Sequence, residues 1–325
     1  MTDDAVLNQL TDLGLRYDGI RALVLTSTRA SGGTACDVLS DYDLLVYARE
    51  PAWFLTNDDW YQSLGASLVM LRYDSDEEDC HTRLVQYADG TRVDYGIRHV
   101  DELTRAGRAG SLPAGLDLGY KVLLDKDACA TALPPPTFRE HVLAAPTAAE
   151  YASVVDEFWW DVIYVPKHLW RGEMVGAQYS LSCLRHDMVR RVLEWCVGME
   201  KGWSWNPGVY GKHLDGALDA ETRQELAGTY PRGDIAEIWQ ALFGTVVLFR
   251  KTALRAGAGL GYAYPHDLDA RVTVYLRTIR NLDRRAATRA DLARLLADGL
   301  CGQGDRQAGP GHPRAGGGEG HGPAG

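Results

Sequence analysis

No apolar run in this chain of 325 residues approaches the ~20 residues that a membrane-spanning helix requires. A transmembrane segment is therefore not expected, nor a membrane partner. The opening stretch, MTDDAVLNQLTDLG, is acidic and lacks the basic region and apolar core of a secretory signal. A cytoplasmic protein is expected. Cysteine is sparse: Cys36, Cys80, Cys129, Cys183, Cys196 and Cys301 include no CxxC pair. Free thiols are expected rather than a zinc site or a disulfide framework. Positive charge is short as well, with a formal net charge of −10. Proteins that bind nucleic acid usually carry a basic face, so nucleic acid is not expected as the main partner. An acidic cleft concentrates cationic ligands, and such a ligand suits this balance. No internal repeat is present.

What is there is ordinary globular material, 46% hydrophobic and 24% charged. The length suits two domains, each able to bury a core. Apolar spacing predicts a helix over 4–15. RALVLTS (21–27) is an apolar run that reads as a buried strand. A polar loop covers 29–40, and strands are expected at 41–48 and 67–73. LVQYA and RVDYGI flank Asp89-Gly90, a strong hairpin signal. A helix over 100–108 and a strand over 119–125 complete a mixed sheet with helices on one face.

Pro134-Pro135-Pro136 reads as a linker. Beyond it the periodicity is helical: 148–170, interrupted by Pro166, then 173–197, 219–227 with Asp219 as N-cap, 235–254 and 268–282. The expected architecture is α+β. A mixed-sheet domain with flanking helices spans 1–136, an α-helical bundle spans 137–298, and a glycine-rich tail over 299–325 has too little apolar material to fold.

The sharpest chemical signal is Ser40-Asp41-Tyr42-Asp43 at the opening of a strand. Side chains alternate along a strand, so Asp41 and Asp43 share a face, roughly 6–7 Å apart. Two like charges so placed are unfavourable without a cation, and magnesium takes carboxylate oxygens together with substrate phosphates. Asp94, in Arg92-Val93-Asp94, is the one acid of the second hairpin strand. If its strand lies beside that of Asp41 and Asp43, three carboxylates meet at one sheet end and can clamp metal for phosphoryl transfer. Upstream, Ser27, Thr28 and Arg29 sit at a strand end, where hydroxyls and amides can cradle phosphate and Arg29 adds a planar donor. Each feature alone is common on protein surfaces; their order makes the metal site the favoured reading.

The strand, the S/T-R-A turn and the following SDYD resemble the nucleotidyltransferase superfamily. FWWDVIYVPKHLWRGE (158–173), LRHDMVRRVLEWCVG (184–198), YGKHL (210–214) and YAYPHDLD (262–269) resemble the helical domain of the aminoglycoside (streptomycin) 6-adenylyltransferases. NDDW (57–60) and LLDKD (123–127) are similar to that family too. The resemblance covers about residues 1–285. It implies transfer of AMP from ATP to a hydroxyl of a cationic aminoglycoside, streptomycin first, with nucleotide and drug in a cleft and resistance as the outcome. It implies Mg2+ on Asp41, Asp43 and Asp94, with Asp94 as ligand, general base or both. Ser27, Thr28, Arg29 and Lys212 would face the nucleotide, with Lys167 and Arg185 as weaker candidates. Glu157, Asp161 and Asp187 would hold the drug's guanidinium groups. Trp159, Trp160 and Tyr164 could add cation–π contact, although aromatics at helical spacing are more often core. A monomer or a homodimer is expected. One departure stands out: the family's Gly-Ser is Ser27-Thr28 here, and serine puts a Cβ where glycine lets backbone approach phosphate closely. Two alternatives stay open: another acceptor (a different aminoglycoside, a lincosamide or a metabolite), or a non-catalytic nucleotide-binding relative.

Overall fold

The computed structural model describes residues 3–30, 36–75, 80–284 and 288–307. The chain divides into two compact units, Met1–Val142 and Leu143–Gly325, a few residues beyond the triple proline. Among the described residues no helix is long and apolar enough to cross a membrane.

In the first unit, α1 (Asp3–Arg16) leads into β1 (Ile20–Thr26), a one-turn α2 (Ser27–Ala30) and β2 (Tyr42–Ala48). Then come α3 (Pro51–Thr56), α4 (Asp59–Gln62), β3 (Ser67–Ser75), β4 (Cys80–Tyr87), β5 (Arg92–His99), α5 (Asp101–Ala109), α6 (Ala114–Asp117) and β6 (Tyr120–Asp125). Among the described residues six strands form one sheet in the order β3-β4-β5-β2-β1-β6. Only β2 and β5 run parallel; the other neighbours are antiparallel. A parallel pair needs a long crossover, and here the crossover holds α3, α4 and the β3–β4 hairpin. The β4–β5 turn closes at Gly90, whose φ of +92° suits a residue without Cβ.

Every residue of β1 is buried. This explains its unbroken apolar run, the signature of a strand covered on both faces. Leu10 and Leu13 of α1, Phe54 of α3 and Trp60 of α4 pack with Leu23, Leu25, Leu44 and Val46. On the opposite side Leu103 of α5 and Leu116 of α6 pack with Ala22, Val24 and Tyr47. Helices thus cover both faces, not one as the sequence suggested.

The second unit is helical: α7 (Ala148–Asp161), α8 (Tyr164–Arg171), α9 (Met174–Cys183), a π-helical segment (Leu184–Val189) and α10 (Arg190–Glu200). A 3-10 turn (Val209–Gly211) precedes α11 (Leu214–Ala217), α12 (Ala220–Ala227), α13 (Ile235–Leu260), α14 (His266–Asn281) and α15 (Arg289–Gln307). A full capping box at Thr147 and Glu150 starts α7, and Asp219 caps α12 by accepting from the Thr222 N–H. The expected break near Pro166 falls instead at Val162–Ile163, leaving Pro166 buried in the first turn of α8, where its missing N–H costs nothing. Phe158 of α7 stacks on Phe249 of α13 at 3.6 Å in the centre of the bundle core. Residues 299–307, read as the start of an unfolded tail, continue α15. The remainder of that tail lies outside the described residues.

Candidate active site

Register builds the site. The parallel pairing of β2 with β5 sets Asp43 opposite Asp94, while β1 on the other side sets Thr26 opposite Asp43. Asp41 immediately precedes β2, and Ser27 immediately follows β1. The sheet therefore delivers Ser27, Asp41, Asp43 and Asp94 to one end of three adjacent strands.

The electrostatics follow from that crowding. Burial holds the Asp43 carboxyl above its usual range; a hydrogen bond from Ser27 opposes this, and the charges of Asp94 and Asp41 add to it. Asp41 is also raised, by burial first, with Arg92 opposing and Asp94 adding. Arg92 opens β5 and leans on the two outer acids. Its Nε lies 3.0 Å from Asp94 Oδ1 and 3.4 Å from Asp41 Oδ2, and its Nη2 donates to Asp94 Oδ2 at 3.1 Å. Among the described residues no three His, Cys, Asp or Glu side chains stand in a metal-holding group. Three carboxylates nevertheless make the hard oxygen donor set that magnesium takes, and their mutual repulsion is what a bound cation relieves. The residues fit such an ion.

Arg29 is engaged differently from expectation. Its Nη2 donates to the Ser40 carbonyl at 2.7 Å and its Nε to the Asp41 carbonyl at 3.2 Å, while its guanidinium lies over the Tyr42 ring at 3.9 Å. It fixes the loop that presents Asp41. The side chain of Thr28 lies outside the described residues. A cavity of about 670 Å³ adjoins the site, lined by Arg29, Ser40, Asp41, Gln86 and Arg92 among others.

The candidates of the second unit separate into two kinds. Glu157 and Asp161 on α7 and Asp187 on the π-helical segment are electrostatic neighbours. Asp161 is raised by burial and by the charges of Glu157 and Asp187. Trp160 beside them is 64% exposed, whereas Trp159 is buried in the core. Glu157, Trp159, Trp160 and Leu268 line a second cavity of about 600 Å³. Lys212 is exposed just after the 3-10 turn. Lys167 sits over the Tyr164 ring. Arg185 is buried, donates to the Thr229 carbonyl at 2.8 Å and lies over Tyr230, so it acts as a packing cation and not a phosphate ligand.

Several motif residues turn out to be braces. Tyr264 donates to Asp269 at 2.8 Å, and Arg250 grips the same carboxylate. Asp127 pairs with Arg21, and Asp125 accepts from the amides of Cys129 and Ala130. Sequence reasoning passed over Arg92, although its position two residues before Asp94 on a strand already put the two on one face.

Known proteins give the context for this geometry. The chain matches the family model described as streptomycin adenylyltransferase over residues 2–279. It is 28% identical over 284 residues to the aminoglycoside 6-adenylyltransferase of Bacillus subtilis (strain 168), covering 86% of this chain and 98% of that protein. It is 23% identical over 251 residues to the enzyme of the same name from Campylobacter jejuni, covering 76% of this chain and 85% of that protein. A crystal structure of an aminoglycoside 6-adenyltransferase from Bacillus subtilis aligns at 24% identity and a TM-score of 0.44, over 85% of this chain and 98% of its own.

Proposed function

The chain belongs to the streptomycin adenylyltransferase family of nucleotidyltransferases, and on that premise we propose that it transfers AMP from ATP to a hydroxyl of streptomycin. The observation that carries the reading is the β2–β5 register, which sets Asp43 beside Asp94 with Asp41 next to them. Asp41, Asp43 and Asp94 would hold Mg2+. When bound, that ion supplies charge neutralisation for the triphosphate and acidifies the attacking hydroxyl. Asp94 accepts the proton of the drug hydroxyl. The freed oxygen bonds to the α-phosphorus as the bond to pyrophosphate breaks, and pyrophosphate leaves. Ser27, just after β1, favours the charged form of Asp43. Arg29 holds the Ser40 and Asp41 backbone in place, so the first carboxylate is positioned before substrate arrives.

In the second unit, Glu157, Asp161 and Asp187 form an acidic group suited to guanidinium, with Trp160 exposed beside it for a cation–π contact. AMP on the drug adds bulk and negative charge, which weakens binding to ribosomal RNA and gives resistance. The deciding experiment incubates purified protein with ATP, Mg2+ and a panel of aminoglycosides and lincosamides, then weighs the products. Streptomycin heavier by one AMP, with pyrophosphate released, is the expected result. A gain only on another drug would move the acceptor, and a gain on none would overturn the transfer reading.

A further inference from the structure

Arg92 occupies an unusual place for a cation in a site built from three acids. Its planar fork spans both oxygens of Asp94, and its Nε also faces Asp41. Its ion pairs in this cluster are with Asp94 and Asp41. The Arg92 side chain is 42% exposed, so its long stem can swing without unpacking a core. The adjoining cavity of about 670 Å³ is lined by Arg92 itself together with Asp41. A cation reaching Asp41 and Asp94 competes for the carboxylate charge that Arg92 now neutralises, and it is repelled by a guanidinium that is always charged.

Resting on the metal-site reading above, we propose that Arg92 is a displaceable counter-cation: it neutralises Asp41 and Asp94 in the metal-free protein and yields them to the incoming divalent ion. A bare metal ion must evict the guanidinium and leave it without an anion. A metal–nucleotide pair brings phosphate oxygens into the same region, and these give the displaced guanidinium a new bidentate partner. Metal and nucleotide therefore bind with positive coupling, and that coupling runs through Arg92. Arg92 is a positioning residue in this scheme: it sets the order in which the site is filled.

The test titrates full-length protein with Mn2+, counting free ion by electron paramagnetic resonance, with and without the α,β-methylene analogue of ATP. Wild type should bind Mn2+ weakly alone and markedly tighter with the analogue. Arg92→Gln should bind Mn2+ alone about tenfold tighter, the equivalent of about 1.4 kcal/mol of lost competition, and should lose most of the coupling. Arg92→Lys keeps the charge and should stay near wild type in Mn2+ affinity. Melting in EDTA gives a second readout: Arg92→Gln should melt below wild type, and Mn2+ should restore it. Unchanged or weaker Mn2+ binding by Arg92→Gln overturns the proposal while leaving the metal site standing. No Mn2+ binding by wild type in either condition overturns the metal-site reading itself, and this inference with it.

Discussion

Ser27 has φ of +65°, in the left-handed region that glycine prefers, at the position where the family resemblance implies a glycine. The Ser27 hydroxyl favours the charged form of Asp43, which burial disfavours. The two effects can be separated. Ser27→Ala removes the hydroxyl and keeps the strained Cβ, whereas Ser27→Gly removes both. The glycine variant should therefore be the more stable of the two by about 1 kcal/mol, read as midpoint shifts in urea unfolding. Both variants should raise the pKa of Asp43 further, followed by NMR titration. Asp43 also sets a pH dependence. An acid raised on folding holds its proton more tightly in the native state, so it costs stability as pH climbs from the ordinary aspartate value through the raised one. Above that window the whole cost is present; below about pH 3.9 it is gone. Asp43→Asn should accordingly melt higher than wild type at pH 7 in EDTA, lose that advantage near pH 3.5, and transfer AMP at least about a hundredfold more slowly. A variant that melted lower at pH 7 would show that the Asp43 carboxylate is net stabilising in the native state.

Elements carry these residues to their places, and they differ in how plainly the sequence announces them. The apolar run of β1, the Asp89-Gly90 hairpin and the acid pair opening β2 are all local patterns, and each is legible because period and turn chemistry are local. The parallel β2–β5 pairing is not local. It depends on a crossover of some forty residues (49–91) packing correctly, and only its two acids hinted at it. Helices on both sheet faces could be read from β1 alone, had its lack of alternation been taken at face value. The π-helical segment at Leu184–Val189 left no trace in periodicity, because the apolar spacing on either side is continuous. The crossover itself is testable. Trp60 of α4 is fully buried, with ring centroids 5.6 Å from Phe54 of α3 and 5.0 Å from Tyr95 of β5. Trp60→Ala should cost about 3–5 kcal/mol in denaturant unfolding. Because Tyr95 neighbours Asp94, it should also lower turnover of the folded fraction. A cost below about 1 kcal/mol would mean that α4 does not hold β5.

At the scale of the whole molecule, a net charge of −10 acts on two substrates of opposite sign. A cationic aminoglycoside is drawn in and the anionic nucleotide is opposed, so salt should move their Michaelis constants in different directions. Raising salt from about 20 mM to about 200 mM should raise KM for streptomycin and leave KM for ATP–Mg flat or lower. The acidic group of the second unit should account for the local part of this. Glu157 and Asp187 are exposed, so Glu157→Gln and Asp187→Asn should each raise KM for the drug by roughly twofold to fivefold, flatten its salt dependence, and leave kcat nearly unchanged. Asp161 is half-buried and held up by the other two, so removing either neighbour should also let its pKa fall toward the ordinary range. That gives a structural readout independent of catalysis. Parallel salt responses for both substrates would mean that general screening governs them. In that case Glu157, Asp161 and Asp187 would be a solvated acidic face, and drug recognition would have to be sought elsewhere on the chain.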